Sequence, residues 1–241
     1  MTVFVGVKNF LLDLLFPVEC LGCGTAGTYL CAACFAKIPI EEAFICPMCA
    51  RPSFEGATCA ACYKKRGLNG LIAAAAYDAV LVRRLVTGCK YRFVKDMAEP
   101  MAHLILKRLA SHAFSVFYRK DILLVPVPLS PRRLRHRGFN QADEIARIVA
   151  RQANVAVSTE ALVRVSNTHP QVEMESRGER RDNIRDAFAI ANSQNIRGRA
   201  VVLVDDVATT LATLGECARV LKKAGAAEVW GLVVAREWLK R

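Results

Sequence analysis

Apolar residues along the chain fall into short unbroken runs separated by stretches of helical spacing. Ala200 to Val204 is one such run, uncharged and continuous. Continuity over so few residues predicts a strand buried on both faces of a parallel sheet, where an exposed strand would alternate. The run stops at two adjacent carboxylates, Asp205 and Asp206. A threonine-rich loop follows, then LGECARVLKKAG, which predicts a helix ending at Gly225. The same alternation occurs upstream. LNGLIAAAAYD, from Leu68, predicts a strand, and Ala79–Leu85 and Met97–Phe117 carry helical spacing. Ile122–Val127 predicts a second buried strand, interrupted by Pro126 and Pro128. Ala142, Ile145, Ala146, Val149 and Ala153 line one face of a helix, and Glu228–Ala235 predicts the last strand. Strands alternating with helices predict an α/β fold on a parallel sheet.

The first quarter of the chain differs in character. Eight of its ten cysteines lie before residue 65, in four C-x-x-C pairs: Cys20/Cys23, Cys31/Cys34, Cys46/Cys49 and Cys59/Cys62. The turn within C-x-x-C brings both sulfurs to one side, so two pairs supply the four ligands of a tetrahedral zinc and four pairs make two sites. Sequential pairing is the simplest arrangement, and crossed pairing is open. Four thiolates also suit an iron–sulfur cluster, a disulfide framework needs an oxidising compartment, and a redox C-x-x-C accounts for one pair only. Structural zinc is the preferred reading, with the metal supplying much of the folding energy of so small a segment. Cys89 and Cys217 stand alone among apolar neighbours and read as buried thiols.

Residues 1–17 are apolar, but Lys8 and Asp13 interrupt them. They are shorter than the ~20 residues that span a bilayer, and no small-residue cleavage site follows. A short helix packed on the next module is expected, in a cytoplasmic protein without a transmembrane segment. Three parts result: residues 1–17, a cysteine module over 18–66 and an α/β module over 67–241. Hydrophobic residues make up 53% of the chain and charged ones 23%, enough for a packed core and against disorder. The formal net charge of +12 favours polyanionic partners: phosphates, pyrophosphate, nucleic acid or an acidic surface.

The charge gains meaning at Val201–Thr213. Backbone N–H groups of a loop and of a helix start converge on phosphate. The hydroxyls of Thr209, Thr210 and Thr213 add donors. Asp205 and Asp206 are acceptors for the hydroxyls of an attached sugar. A Walker B strand would need a G-x-x-x-x-G-K-[ST] loop, which the chain lacks. Upstream, Arg132, Arg133, Arg135, His136 and Arg137 are set to clamp phosphate through guanidinium forks or to lie in solvent.

Val201–Thr213 resembles the thirteen-residue phosphoribosyl pyrophosphate (PRPP) signature of type I phosphoribosyltransferases, that of the ComF family in particular. Arg137-Gly138-Phe139-Asn140-Gln141 resembles the R-G-[FY]-N-Q of ComF proteins. Lys90-Tyr91 resembles the family's lysine–tyrosine stretch near the cleft. Gln171, Arg180, Asn183 and Ala187-Phe188 resemble its hood segment, and Ala235-Arg236 its terminal A-R. The resemblance implies a type I phosphoribosyltransferase-like parallel sheet flanked by helices, preceded by a double zinc ribbon. It implies two structural zinc ions, and magnesium with PRPP where the pocket is active. Asp205 and Asp206 would then hold the ribose and the metal shell. Val207, Ala208, Thr209, Thr210, Leu211, Ala212 and Thr213 would surround the 5′-phosphate, with Lys90, Arg137, Gln141 and Arg180 also toward phosphate groups. It further implies an accessory role in natural competence, with single-stranded DNA and competence-machinery proteins as partners. The alternative is PRPP-dependent transfer to a nitrogen base. One position departs from the family: Leu211 stands where glycine is usual. Glycine there lets the backbone turn tightly toward phosphate, whereas leucine adds bulk and restricts φ.

Overall fold

The computed structural model describes residues 18–91, 94–165, 184–193 and 195–238. The expectations for residues 1–17 and for Gln171, Arg180 and Asn183 lie outside the described residues. Strands β1 (Gly70–Ala76), β2 (Ile122–Pro126), β3 (Ala156–Val157), β6 (Ala200–Ala208) and β7 (Glu228–Arg236) form one sheet in the order β1-β7-β6-β2-β3. All of its pairings are parallel. Two short strands, β4 (Leu162–Arg164) and β5 (Phe188–Ile190), pair antiparallel in a separate ribbon.

The uncharged run of β6 makes it the central strand. Side chains alternate across a strand, so Ala200, Val202 and Val204 enter one apolar cluster while Val201 and Leu203 enter another. The first cluster packs against α3 (Val80–Tyr91), α4 (Ala98–Ser111) and α6 (Gln141–Ala153). The second packs against α7 (Ala212–Lys223) and the β4–β5 ribbon. This two-layered burial is what a continuous apolar strand requires.

Three boundaries differ from those the pattern predicts. First, β6 does not stop at Val204. It continues through both carboxylates to Ala208, because β7 runs on beside it: Asp205 lies opposite Val233, Val207 opposite Ala235 and Ala208 opposite Arg236. Strand β2 ends earlier, at Pro126 opposite Val204. Second, α3 runs past Leu85 to Tyr91, which carries Lys90 to the helix end. Third, the Met97–Phe117 stretch is not one helix. Helix α4 ends at Ser111, His112 is extended, and Ser115–Tyr118 is a separate 3₁₀ turn. A tertiary contact holds that turn: Ser115 N and Oγ both donate to Glu55 Oε2, at 2.9 and 2.6 Å.

The cysteine segment carries two short helices, α1 (Ala32–Ala36) and α2 (Ala60–Arg66), and lies against the sheet. Cys20, Leu30, Cys34 and Ile38 belong to the same apolar cluster as Val82 and Leu85 of α3. Arg84 Nη1 donates to Leu21 O at 2.6 Å, and Ala57 bridges Gly70 at the start of β1. Gly70 itself is a packing requirement, since a Cβ there would lie 2.2 Å from the Trp230 ring. Gly70→Ala is therefore expected to lower stability by about 1–3 kcal/mol through displacement of the indole. In urea titration the midpoint should fall with the slope unchanged; an unmoved midpoint would show that the indole relocates without strain.

Candidate functional site

The overhang of β6 beyond β2 leaves Asp205 and Asp206 at the open carboxyl edge of the sheet, where α/β folds place their ligands. Strand alternation puts the two carboxylates on opposite faces, so they do not act as one paired acceptor. Asp206 takes the α3/α6 face and is 3% exposed. Its Oδ1 meets Lys90 Nζ at 2.9 Å, and its Oδ2 accepts from Gln141 Nε2 at 2.8 Å. Gln141 Oε1 in turn accepts from Arg137 Nη1. Lys90, Arg137, Gln141 and Asp206 thus form one chain of contacts. Burial works to lower the Lys90 pKa, but Asp206 and then Asp205 outweigh it and hold the ammonium above its ordinary value.

Local sequence explains why these groups meet. Helix α5 (Pro131–Arg137) starts on Ser130, whose side chain accepts from Arg133 N, with proline in the first turn. It ends at Gly138, which takes φ 81°. Asn140 then caps α6: its Oδ1 accepts from Ala142 N and its Nδ2 donates to Val127 O at 3.1 Å. The R-G-F-N-Q segment is thus a helix stop followed by a helix start. It sets Arg137 and Gln141 on either side of one turn.

Asp205 faces the other way, half-buried, and its Oδ1 accepts from Asp206 N at 2.9 Å. Burial and then the Asp206 charge push its carboxyl up to about 7, against the pull of Lys90 and Arg164. Arg164 of β4 is a site residue that motif reading missed. Its guanidinium lies 5.3 Å from the Phe188 ring centre and acts electrostatically on Asp205. The signal for it was alternation in Leu162-Val163-Arg164, where Leu162 is buried and Val163 exposed, which puts Arg164 on the inward side.

At the loop, Thr209 and Thr210 are half-buried, and Thr210 Oγ1 accepts from Ala212 N at 3.4 Å. Leu211 adopts φ 60°, ψ 14°, the left-handed region that favours glycine. That conformation costs a leucine about 1 kcal/mol. Its side chain is 3% exposed and joins Ala208, Ala212 and Leu214 in the second cluster. Burial of a leucine is worth about 1.5–3 kcal/mol, enough to offset the strain. The backbone therefore keeps a glycine-like turn while the bulk points into the core, so the added bulk does not fill the turn. Leu211 offers α7 no side-chain cap, a role an outside acceptor can fill. Val207 is half-buried and Ala208 buried at the strand end; Thr213 sits half-buried in the first turn of α7. Arg180 lies outside the described residues.

The cysteines assemble into two sets, Cys20, Cys23, Cys31, Cys34 and Cys46, Cys49, Cys59, Cys62, with each set's sulfurs within 4.8 Å of one another. Pairing is therefore sequential. Cys23 and Cys31 sulfurs lie 3.6 Å apart, and those of Cys49 and Cys59 3.8 Å. A tetrahedral zinc with Zn–S near 2.3 Å places its sulfurs about 3.8 Å apart, so the residues fit zinc. Gly22 keeps room for the first set, since a Cβ there would sit 2.6 Å from Cys34 Sγ. Burial works to raise Cys20 and Cys46, but backbone N–H groups, first those of Cys31 and Cys59, bring them down to about 6 and about 7. Cys89 and Cys217 are fully buried, and burial pushes the Cys89 thiol up to about 12.

Both parts of the chain match known families. Residues 11–63 match the double zinc ribbon domain and residues 134–237 the phosphoribosyl transferase domain. The chain is 30% identical over 207 residues to the DNA utilization protein YhgH of Salmonella typhimurium, covering 84% of this chain and 89% of that one. It is 39% identical over 115 residues to Competence protein F of Haemophilus influenzae, 46% of this chain and 50% of that one. It is 27% identical over 211 residues to Competence protein ComFC of Bacillus subtilis, 86% and 84% of the two chains.

The Asp205 carboxyl has a measurable signature. With its folded pKa about 7 against an ordinary 3.8, the folded protein holds an extra proton between these values. Stability from this group is complete below about pH 4 and is lost as pH rises through about 7. Asp205→Asn should flatten that part of the profile, read as urea unfolding between about pH 5 and about pH 8. Identical profiles for the two proteins would mean that Asp205 ionises normally.

Proposed function

The chain belongs to the ComF family, and from that premise we propose an accessory protein of DNA uptake that acts in the cytoplasm. Its phosphoribosyltransferase-like cleft takes a phosphosugar of the PRPP type, and its arginine-rich rim handles single-stranded DNA. The backbone at Leu211 carries the first half of this reading. A left-handed residue between two threonines and a helix start whose Ncap side chain accepts no hydrogen bond suits a phosphate, and the leucine side chain is buried away from it. The 5′-phosphate would accept from Thr209, Thr210 and Thr213 and from N–H groups of the first turn of α7. Asp205 and Asp206 would meet the ribose hydroxyls from the two sides of β6. Lys90 and Arg137 would face the pyrophosphate. Among the described residues, the groups of three or more metal-ligating side chains are the two cysteine sets, so magnesium would arrive with PRPP and neutralise its charge. The eight thiolates would hold two zinc ions that fold the ribbons.

Helix α5 carries the second half. It presents Arg132, Arg133, Arg135, His136 and Arg137 directly after β2, and none of these is buried. Arg132 and Arg135, one turn apart on the helix, suit the backbone of a single strand. An enzymatic reading shares the pocket. With its carboxyl raised to about 7, Asp205 as carboxylate would take the proton the nitrogen base loses as it bonds to the anomeric carbon and the bond to pyrophosphate breaks.

Calorimetric titration with Mg-PRPP tests the cleft. The natural protein is expected to bind, Asp206→Asn to lose about tenfold or more in affinity, and Leu211→Gly to bind within a few-fold, since the leucine points inward. The glycine variant should also lose about 2–4 kcal/mol of stability through the cavity it leaves. Absence of binding by the natural protein would sink the phosphosugar reading. For the rim, oligothymidylate binding should weaken with salt. Arg132→Ala together with Arg135→Ala should reduce the log–log salt slope by about 0.7 per arginine. A slope unchanged by both substitutions would remove α5 from the interface.

A further inference from the structure

The second thiolate set reaches the phosphate loop through one side chain. Arg236 closes β7 directly opposite Ala208, the last residue of β6, and Glu237 N donates to Ala208 O at 3.0 Å. From that position its guanidinium donates to Pro47 O at 3.0 Å, inside the Cys46–Cys49 turn. Arg236 is 6% exposed, and its guanidinium stacks 4.7 Å from the Trp238 ring centre. A side chain so buried, stacked and bonded has few other positions open to it. The strand end that launches Thr209 and Thr210 is therefore tied to a turn whose shape depends on its two sulfurs.

A further contact reaches the same loop, and another holds the far end of the helix that follows it. Met48, between Cys46 and Cys49, packs on the apolar cluster that contains Ala208, Leu211 and Ala212. The other half of the set, Cys59 and Cys62, flanks and enters α2. That helix lies against α7, with Lys222 Nζ 5.8 Å from the Tyr63 ring centre. One C-x-x-C turn thus supports the beginning of the loop and the other supports the helix into which the loop runs. Leu211 sits between them in a conformation that costs free energy and persists only while its side chain stays packed.

We infer that metal occupancy of Cys46, Cys49, Cys59 and Cys62 sets the order of the Ala208–Ala212 loop, with Arg236 as the positioning residue that connects the two. The second ribbon is thereby a metal-dependent brace on the candidate ligand site. Because binding linkage is reciprocal, a ligand seated on the loop in turn retains the metal. The loop's role as a phosphate site rests on the function proposed above; its mechanical tie to the ribbon does not.

Amide hydrogen exchange on the zinc-loaded full chain, without any phosphosugar, tests the tie. Cys49→Ser is expected to release one metal and to speed exchange of the amides from Val207 to Leu214 by about tenfold or more, while Leu123, Leu124 and Val125 of β2 stay protected. Arg236→Lys keeps the charge and loses the fork. It should speed exchange of the same loop amides with both metals still bound. Faster exchange spread equally over β2 and the loop in Cys49→Ser, or unchanged loop exchange in Arg236→Lys, would overturn the proposal. Chelator-driven zinc release from the natural protein, slowed by Mg-PRPP, would show the reciprocal effect. If the natural protein fails to bind PRPP in calorimetry, the function proposed above fails while the exchange result stands or falls by itself.

Discussion

The structure depends on the pairing of β6 with β7 beyond the point where β2 ends. Within the sheet, β6 is buried on both faces and bonded on both edges, the most constrained position available to a strand. Past Val204 it keeps only the β7 edge. There the side chains change from valine and leucine to aspartate and the strand keeps one edge free of β2. One pairing therefore does two things. It fixes the alternation that sends Asp205 and Asp206 to different faces, and it places Ala208 against Arg236, which anchors the ribbon.

Each face of the sheet then brings its own partners to its own carboxylate. Lys90 and Gln141 reach Asp206 from helix ends on one side, and Arg164 approaches Asp205 from the β4–β5 ribbon on the other. Burying a charged carboxylate without a partner is expensive. Asp206 answers this with an ammonium and an amide, whereas Asp205 answers it with a raised pKa. Two neighbours in sequence therefore meet different surroundings because the pleat separates them. Asp186 shows the same economy of contact near the ribbon's root: its N–H donates to Glu216 Oε1 at 2.8 Å, and its carboxylate accepts from Arg219. That pair ties the chain just before β5 to α7.

Much of the fold was legible because apolar continuity and helical spacing are local signals. The central strand, the last strand and α7 follow from them directly. What was not legible depends on contacts distant in sequence. The extension of β6 reflects the length of β7, not its own residues. The break after Ser111 reflects Glu55, sixty residues upstream of Ser115. The R-G-F-N-Q segment carried its meaning in the open, since a glycine stop and an asparagine start are local devices. Arg164 carried only a single alternation, because a three-residue strand offers no longer pattern. The order of cysteine pairing, left open by spacing alone, is settled by which turns lie side by side.

Leu211 has a consequence for how the loop would respond to a ligand. A glycine at this turn behaves as a hinge: it samples many backbone states and must be ordered when phosphate arrives. A leucine held in the core at 3% exposure behaves as a fixed shelf. Most of the ordering is completed during folding, so less conformational entropy remains to be lost on binding. Such a shelf favours anions that fit it as it stands, and it gives up the ability to reshape itself around others.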